Sequence, residues 1–103
     1  MILRMTLRKK WFDLIKAGVK KEEYREPKAY WIDRLFDSKE GMDGFSCTQR
    51  KFEKVIFSIG YPKSTETENV IEFKNPKIEG REGREEWGAI PGKKYIVITW
   101  TEK

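Results

Sequence analysis

The sequence predicts an α+β domain, a small mixed β-barrel of five to six strands with two short helices. Three observations lead to this fold class. The length of 103 residues suits one domain, residues 1–103. Aromatic residues make up 14% of the chain, enough to fill a compact core. Short apolar runs alternate with charged or glycine-containing stretches, as strands alternate with loops. A flat α+β sandwich is the alternative arrangement.

The first part of the chain predicts one strand and two helices. The segment from Ile2 to Leu7 is mostly apolar and bounded by charge, which indicates a strand. A helix follows, capped by Thr6 and ended by Gly18 in a left-handed conformation. A second helix begins at Pro27, which suits a first helical position. The apolar residues at helical spacing are Leu7, Trp11, Leu14 and Ile15 in the first helix, and Trp31, Ile32, Leu35 and Phe36 in the second.

The rest of the chain predicts strands joined by polar loops. The strands are Phe52–Ile59, Val70–Lys74 and Tyr95–Trp100, and the loops are 37–51, 60–69 and 79–94. The middle strand can continue to Ile78 only through a bulge, because Pro76 has no N–H to donate. The last strand is apolar on both faces, so we expect it to be central. Trp11, Trp31 and Trp100 lie on apolar stripes and are expected in the core.

The composition excludes several mechanisms. The chain has no histidine and a single cysteine, Cys47. Without imidazole there is no Ser–His or Cys–His nucleophile pair. One cysteine without histidine also cannot build an ordinary structural zinc site. We therefore expect no metal and no cofactor, and any proton chemistry falls to Lys, Asp, Glu, Tyr or water.

The same features predict a cytoplasmic protein. A lone cysteine forms no intramolecular disulfide, so a reducing compartment is the simpler assumption. Residues 1–10 are too short and too basic for a signal peptide. No apolar run approaches the length of a membrane span, so we expect no membrane partner.

The charge balance is compatible with RNA or a nucleotide as partner. Lys and Arg total 22 against 17 Asp and Glu, a net charge of +5. The acidic residues are interspersed along the chain, so charge alone is weak evidence. The basic residues around the first helix suit phosphate binding or form a plain solvated face; they are Arg8, Lys9, Lys10 and Lys16.

The stretch from Gly18 to Arg25 has no apolar face, although its position after a helix and before Glu26-Pro27 predicts an extended strand. Glu23 and Arg25 are two residues apart and share a face, while Lys20 lies at the turn. One interpretation is a charged, solvated edge strand. The other is a polar cleft in which Arg25 matches phosphate or a carbonyl edge and Glu23 accepts from a base amine. A desolvated Lys20 can also lose its proton and act as a base.

Gly18-x-Lys20-x-x-Glu23-x-Arg25, directly after the helix that contains Trp11-Phe12-Asp13-Leu14-Ile15, resembles the signature of the ASCH domain family. The resemblance covers essentially the whole chain, from the opening strand to the final hydrophobic strand. It implies a PUA-like β-barrel with a cleft at the motif strand, lined by Lys20, Glu23 and Arg25. It also implies a partner that is RNA or a nucleotide or nucleoside.

Members of that family are described as RNA-binding modules, as single-strand ribonucleases, and as amidohydrolases that remove an acyl group from modified cytidine. In the amidohydrolase branch a threonine stands at the position of Glu23, which counts against that activity here. The branch also uses a carboxylate from a later segment. The eligible residues are Glu72, Glu82, Glu85 and Glu86.

Three further residues are candidates for ligand contact. Trp87 and Arg84 lie in the loop between Gly80 and Gly92 and supply a stacking surface and a cation. Tyr24 either stacks on a ligand or covers the core, and Trp87 alternatively closes one end of the barrel. The first hypothesis is an RNA- or nucleotide-binding module. The alternative is a metal-independent hydrolase whose catalytic residues are Lys20 and Glu23, and a protein-interaction domain is the third.

Overall fold

A five-stranded mixed sheet organises the chain in the computed structural model, which describes residues 1–38, 47–60 and 67–101. Its strands are β1 (Ile2–Leu7), β2 (Glu23–Arg25), β5 (Lys54–Ile59), β6 (Val70–Glu82) and β7 (Lys94–Thr101). Their spatial order is β1-β5-β6-β7-β2, with β1 parallel to β5 and the other pairs antiparallel. The helices are α1 (Lys9–Lys16) and α2 (Ala29–Leu35). The predicted α+β class is confirmed.

The core lies between the sheet and the two helices. On β1 every second residue is buried, as expected of a strand with one face on the core. The central β7 buries four consecutive residues, because both of its faces are covered. The buried apolar residues that form the main cluster include Leu3, Met5, Phe12, Ile15, Leu35, Val55, Phe57, Ile78 and Ile98.

Helix α1 begins later than the sequence predicts. Thr6 does not cap it, because the strand continues through Leu7 and Arg8 stays extended, with φ −69° and ψ 149°. Arg8 occupies the cap position, where its carbonyl accepts from the N–H of Phe12 at 3.0 Å. Gly18 has φ +79°, the left-handed conformation expected after the end of the helix.

Helix α2 also begins later than predicted, at Ala29 rather than Pro27. Lys28 is extended, and its carbonyl accepts the first helical bond from Ile32 at 2.9 Å. Phe36 leaves the helix and begins a short strand. Within the described ranges, neither helix combines the length and the apolar character that crossing a lipid bilayer requires.

The segment predicted as a loop over 37–51 contains parts of two short strands. These are β3 (Phe36–Ser38) and β4 (Cys47–Gln49), which pair antiparallel as a separate ribbon. The prediction of an uninterrupted loop is wrong at both ends of this segment, because the two ends pair with each other. Its middle, 39–46, and most of the predicted 60–69 loop, 61–66, lie outside the described residues.

Strand β6 confirms the predicted bulge and is longer than expected. Asn75 adopts φ +50°, and the register with β7 shifts between Lys74 and Lys77. Beyond the bulge the strand passes Ile78 and ends at Glu82, so the prediction of a loop from residue 79 is wrong. The physical reason is continued pairing with β7, which supplies the cross-strand partners that a local pattern does not reveal.

The sheet is not closed by backbone pairing among the described residues. Strands β1 and β2 form its two edges, and no ladder joins them there. A side chain links them instead: Nη2 of Arg25 donates to the carbonyl oxygen of Thr6 at 3.0 Å. The closed barrel of the sequence prediction is therefore not confirmed, although the two edges approach within the reach of one arginine.

The bulge provides a test of the backbone conformation. We expect Asn75→Gly to leave the free energy of unfolding within about 0.5 kcal/mol of wild type, because glycine accepts positive φ readily. Asn75→Val is expected to lower it by about 1–2 kcal/mol, since a β-branched residue is strained there. Urea denaturation measures both. Lys74→Val, one residue earlier in regular strand, is the control; an equal loss at Lys74 contradicts the assignment of strain to Asn75.

Candidate functional site

A cleft of about 360 Å³ opens at the end of β1, where the strand meets α1. It is bounded by the last residues of β1, the first turn of α1, the short strand β2 and the connection between β6 and β7. Its lining residues are Thr6, Leu7, Arg8, Trp11, Glu23, Tyr24, Arg25, Trp87, Gly88 and Tyr95. The cleft thus combines four aromatic side chains with a carboxylate and two guanidinium groups.

The carboxylate of Glu23 lies at the base of this cleft between two cations. Glu23 is 4% exposed, and Lys20 behind it is 1% exposed. The ammonium of Lys20 lies 3.1 Å from Oε1 of Glu23, and Nη1 of Arg25 donates to Oε2. Each oxygen of the carboxylate therefore contacts a different cation, as a buried charge requires. We call these three residues the Lys20–Glu23–Arg25 triad.

Lys20 is buried, and its ammonium lies among polar and aromatic groups. Its ammonium donates to the carbonyl of Glu22 and lies 4.8 Å from the ring centroid of Tyr24 and 5.5 Å from that of Trp11. The two rings offer their negative faces to the cation. Burial is the largest influence on the pKa of Lys20 and lowers it, and the Glu23 carboxylate opposes this effect only in part.

Arg25 is fixed by four contacts. Besides Glu23 it donates to the carbonyls of Tyr24 at 3.2 Å and Thr6 at 3.0 Å, and its guanidinium lies 5.1 Å from the ring centroid of Trp31. Its side chain is still 19% exposed. The guanidinium is thus held in one orientation while part of it remains accessible from the cleft.

A second polar network holds Tyr24 in place. The phenol donates to Oε1 of Glu22 at 2.7 Å and accepts from the backbone N–H of Arg84 at 2.9 Å. The guanidinium of Arg81 donates to both carboxylate oxygens of Glu22, from Nη2 to Oε2 at 2.5 Å and from Nη1 to Oε1 at 3.2 Å. Burial raises the pKa of Glu22, but the hydrogen bonds from Arg81 and Tyr24 outweigh it, so the pKa lies below its ordinary value. Burial also raises the pKa of Tyr24 to about 12, so its phenol is a donor at neutral pH.

The segment after β6 packs directly against the aromatic walls of the cleft. A Cβ added at Gly83 would lie 2.5 Å from the ring of Tyr24, and one at Gly88 would lie 2.9 Å from the ring of Trp11. Gly88 also has φ +100°. Between them, one 3₁₀ turn at Glu85–Trp87 places Trp87 at the cleft. Glycine at both ends is what allows this close approach.

The structure brings together some of the residues singled out by sequence and separates others. Glu23, Tyr24, Arg25 and Trp87 line the cleft, whereas Lys20 lies behind Glu23 and contacts it from within the protein. Arg84 is exposed; its guanidinium lies 5.0 Å from the ring centroid of Trp87, outside the lining. Gly18 provides the turn that leads the chain from α1 to Lys20.

None of the four later carboxylates lines this cleft. Glu72 pairs with Lys54 at 3.1 Å, and Glu86 lies 3.6 Å from Arg84. Glu82 and Glu85 are exposed at the end of β6 and in the turn after it. Glu22, which lies within the motif itself, is a carboxylate outside the triad whose charge acts on Lys20.

Sequence reasoning missed several residues of the site. Trp11 was expected in the core but lines the cleft, because it lies on the edge of the apolar stripe of α1. Tyr95, at the start of the central strand, also lines it. Arg81 and Glu22 are 59 residues apart in sequence, so no local spacing announces their pairing. The position of Glu22 between Lys20 and Glu23 in the sequence was the one indication that it belongs to the site.

The site has the chemistry of a polar binding cleft. Across the described ranges, no group of three or more Cys, Asp or Glu side chains is arranged to hold a metal ion. Lys20, Glu23 and Arg25 together carry a net charge of +1, and Arg8 at the mouth adds another positive charge. Aromatic walls around cationic donors suit a planar group that carries a carbonyl or a phosphate.

Comparison of the chain with protein-family models, with curated proteins and with solved structures finds no match.

The contact between Gly83 and Tyr24 predicts a specific sensitivity. We expect Gly83→Ala to lower the free energy of unfolding by about 1–3 kcal/mol, because the new methyl group overlaps the tyrosine ring and Ala89. Gly80→Ala is the matched control, since a Cβ there meets nothing within 4 Å. Thermal or urea unfolding compares the two variants. Equal effects at both positions contradict the packing described for this turn.

The lowered pKa of Glu22 predicts a pH dependence. A carboxyl whose pKa is lowered in the folded state stabilises the protein at pH values above its ordinary pKa of 4.5. This stabilisation disappears as the pH falls through the folded-state pKa. At neutral pH we expect Glu22→Gln to cost about 1 kcal/mol, as for a partly exposed ion pair. The difference from wild type should shrink towards pH 3, measured by urea denaturation.

A double-mutant cycle identifies the partner of Glu22. If the stabilisation arises from Arg81, Arg81→Gln should cost little more once Glu22→Gln is present. Additive losses from the two substitutions, or a difference that does not change with pH, contradict this assignment.

Proposed function

We propose that this chain binds RNA, or a nucleotide or nucleoside, in the cleft formed by Glu23, Tyr24 and Arg25. The observation that carries the proposal is the Lys20–Glu23–Arg25 triad, in which Lys20 and Glu23 are buried, at the base of an aromatic-walled cleft. A charge cluster that serves only as a solvated edge has no need of burial or of enclosing aromatic rings.

The triad offers complementary groups to a nucleotide. Three of the five N–H groups of Arg25 are used by Glu23, Tyr24 and Thr6, which leaves two for a phosphate or a carbonyl edge. Glu23 has lone pairs left to accept from an exocyclic amine. Lys20 holds the carboxylate of Glu23 in its orientation through the 3.1 Å contact. The net positive charge favours an anionic ligand.

The aromatic walls suit a nucleobase. Trp11, Tyr24, Trp87 and Tyr95 surround the opening. Stacking of a base on an aromatic side chain contributes roughly 1–3 kcal/mol and tolerates any base, because every base has a π-face. Polar groups at the base of the cleft then distinguish one base edge from another.

The hydrolase alternative finds less support in the geometry. General acid–base work by Lys20 and Glu23 needs a group free to accept or release a proton. Both oxygens of Glu23 already contact cations, and the ammonium of Lys20 donates to Glu23 and to the carbonyl of Glu22. The one observation in favour of catalysis is that burial lowers the pKa of Lys20.

We also propose that the domain is a cytoplasmic member of the ASCH family with a PUA-like barrel. The support is the motif of Gly18, Lys20, Glu23 and Arg25, together with the order of a strand, a helix ending near Gly18 and a short motif strand. The bond from Arg25 to the Thr6 carbonyl supports a sheet that curls towards closure.

The proposal predicts specific losses of affinity. Homopolymeric RNAs of about eight nucleotides and the matching nucleoside monophosphates are titrated at low salt. We expect Trp87→Leu to weaken binding roughly 5- to 150-fold through lost stacking. Arg25→Lys, which keeps the charge and loses the fork, should also weaken it. Lys77→Ala on the exposed face of β6 is the control and should bind as wild type does.

Two results contradict the proposal. If no RNA, nucleotide or nucleoside binds at low salt, the hypothesis of a protein-interaction domain replaces the proposal. If wild-type protein turns over RNA or an acylated cytidine without added metal, and Lys20→Met abolishes turnover while the circular dichroism spectrum is kept, the hydrolase reading takes its place.

A further inference from the structure

A second groove lies at the other end of strand β1. It has a volume of about 320 Å³ and is formed between the start of β1, the end of α2 and the chain before β5. Three arginines line it, Arg4, Arg34 and Arg50, together with Asp33 and the apolar side chains of Ile2 and Phe52. Among the described residues that line it, three guanidinium groups thus accompany one carboxylate.

The arginines differ in how they are held. Arg50 donates to the carbonyls of Asp33 at 3.0 Å and Phe36 at 3.3 Å, which orient its guanidinium. Arg34 lies 5.1 Å from the ring centroid of Tyr30. Arg4 is exposed, and within the described ranges neither Arg4 nor Arg34 forms an ion pair with a carboxylate. These two guanidinium groups are therefore available for phosphate.

Both grooves lie along the same open sheet edge. On β1, Arg4 and Thr6 are exposed and have the same parity, and Arg8 continues it in extended conformation. Arg4 is four residues from Arg8, so their Cα atoms lie about 13 Å apart at the rise of a strand. Helix α2 runs beside this edge: its Trp31 faces Arg25 near the cleft, and its Arg34 reaches the second groove.

We propose that the second groove is a phosphate site for single-stranded RNA whose base occupies the cleft, an inference that rests on the proposed function. A nucleoside monophosphate in the cleft does not reach both ends of β1, whereas a strand of several nucleotides does. Arg4 and Arg34 contact its backbone, and Ile2 and Phe52 provide an apolar surface for a second base. The ligand is thus a polymer, which follows β1 from the cleft to the second groove.

A single strand fits this arrangement better than a duplex. Entry of a base into an aromatic-walled cleft requires that it be unstacked and unpaired. Arg4 and Arg8 have the same parity along β1 and its extension, about 13 Å apart, a spacing that a single backbone can follow.

The test measures the affinity of protein variants with and without the groove arginines for a long and a short ligand. Wild type, Arg4→Ala/Arg34→Ala and the charge-matched control Lys77→Ala/Lys94→Ala are titrated with RNA of about eight nucleotides and with the monophosphate of the same base. We expect the octanucleotide to bind wild type more tightly than the monophosphate. The arginine variant should lose that advantage and bind the monophosphate as wild type does. Its salt dependence, log K against log salt, should be shallower by about 0.7 per lost contact.

The outcomes separate this inference from the function on which it rests. If wild type binds the octanucleotide and the monophosphate with equal affinity, and Arg25→Lys weakens both, the second groove is not a phosphate site. The cleft then remains as a mononucleotide site. Equal losses in the arginine and lysine variants also overturn it, because they indicate general charge attraction. If neither ligand binds wild type, the proposed function fails as well.

Discussion

The buried carboxylate of Glu23 is the constraint on which the rest of the site depends. An ionised group excluded from water is tolerated only with partners, and removing one partner of such a pair costs about 3–5 kcal/mol. Lys20 and Arg25 provide those partners from the same short segment. Because Arg25 also reaches Thr6, the requirement to neutralise one carboxylate also positions the two edges of the sheet relative to each other. The cleft is the space that remains between them.

The aromatic groups and the glycines form a second layer around that constraint. Tyr24 and Trp11 cover the ammonium of Lys20, and each ring in turn contacts a glycine of the segment after β6. The phenol oxygen of Tyr24 accepts a hydrogen bond from the backbone N–H of Arg84, and this bond connects the segment to the motif strand. Residues about 60 positions apart are thereby joined, so the position of Trp87 depends on the packing around Lys20.

Periodicity in the sequence was sufficient for the regular elements and for part of the site. The strand Ile2–Leu7, the burial of Ile15 on the first helix, and the left-handed Gly18 follow from local rules of alternation and capping, whereas the burial of Phe12 was not predicted. The shared face of Glu23 and Arg25 follows from strand parity. The start of α1 was predicted too early because β1 continues to pair with β5 through Leu7. The start of α2 was predicted too early because Lys28 stays extended, with its N–H donating to the carbonyl of Glu26. The Arg81–Glu22 pair and the full length of β6 depend on contacts between distant segments.

The arginine bond at the edge of β1 has a further consequence, for self-association. Edge strands present unpaired carbonyl and N–H groups that other chains can extend into a continuous sheet. Here the Thr6 carbonyl is occupied by Arg25, and the opposite edge, β2, is only three residues long. The groups that shape the cleft therefore also limit edge-to-edge aggregation. One guanidinium thus both contacts the Glu23 carboxylate at the base of the cleft and occupies a backbone acceptor on the sheet edge.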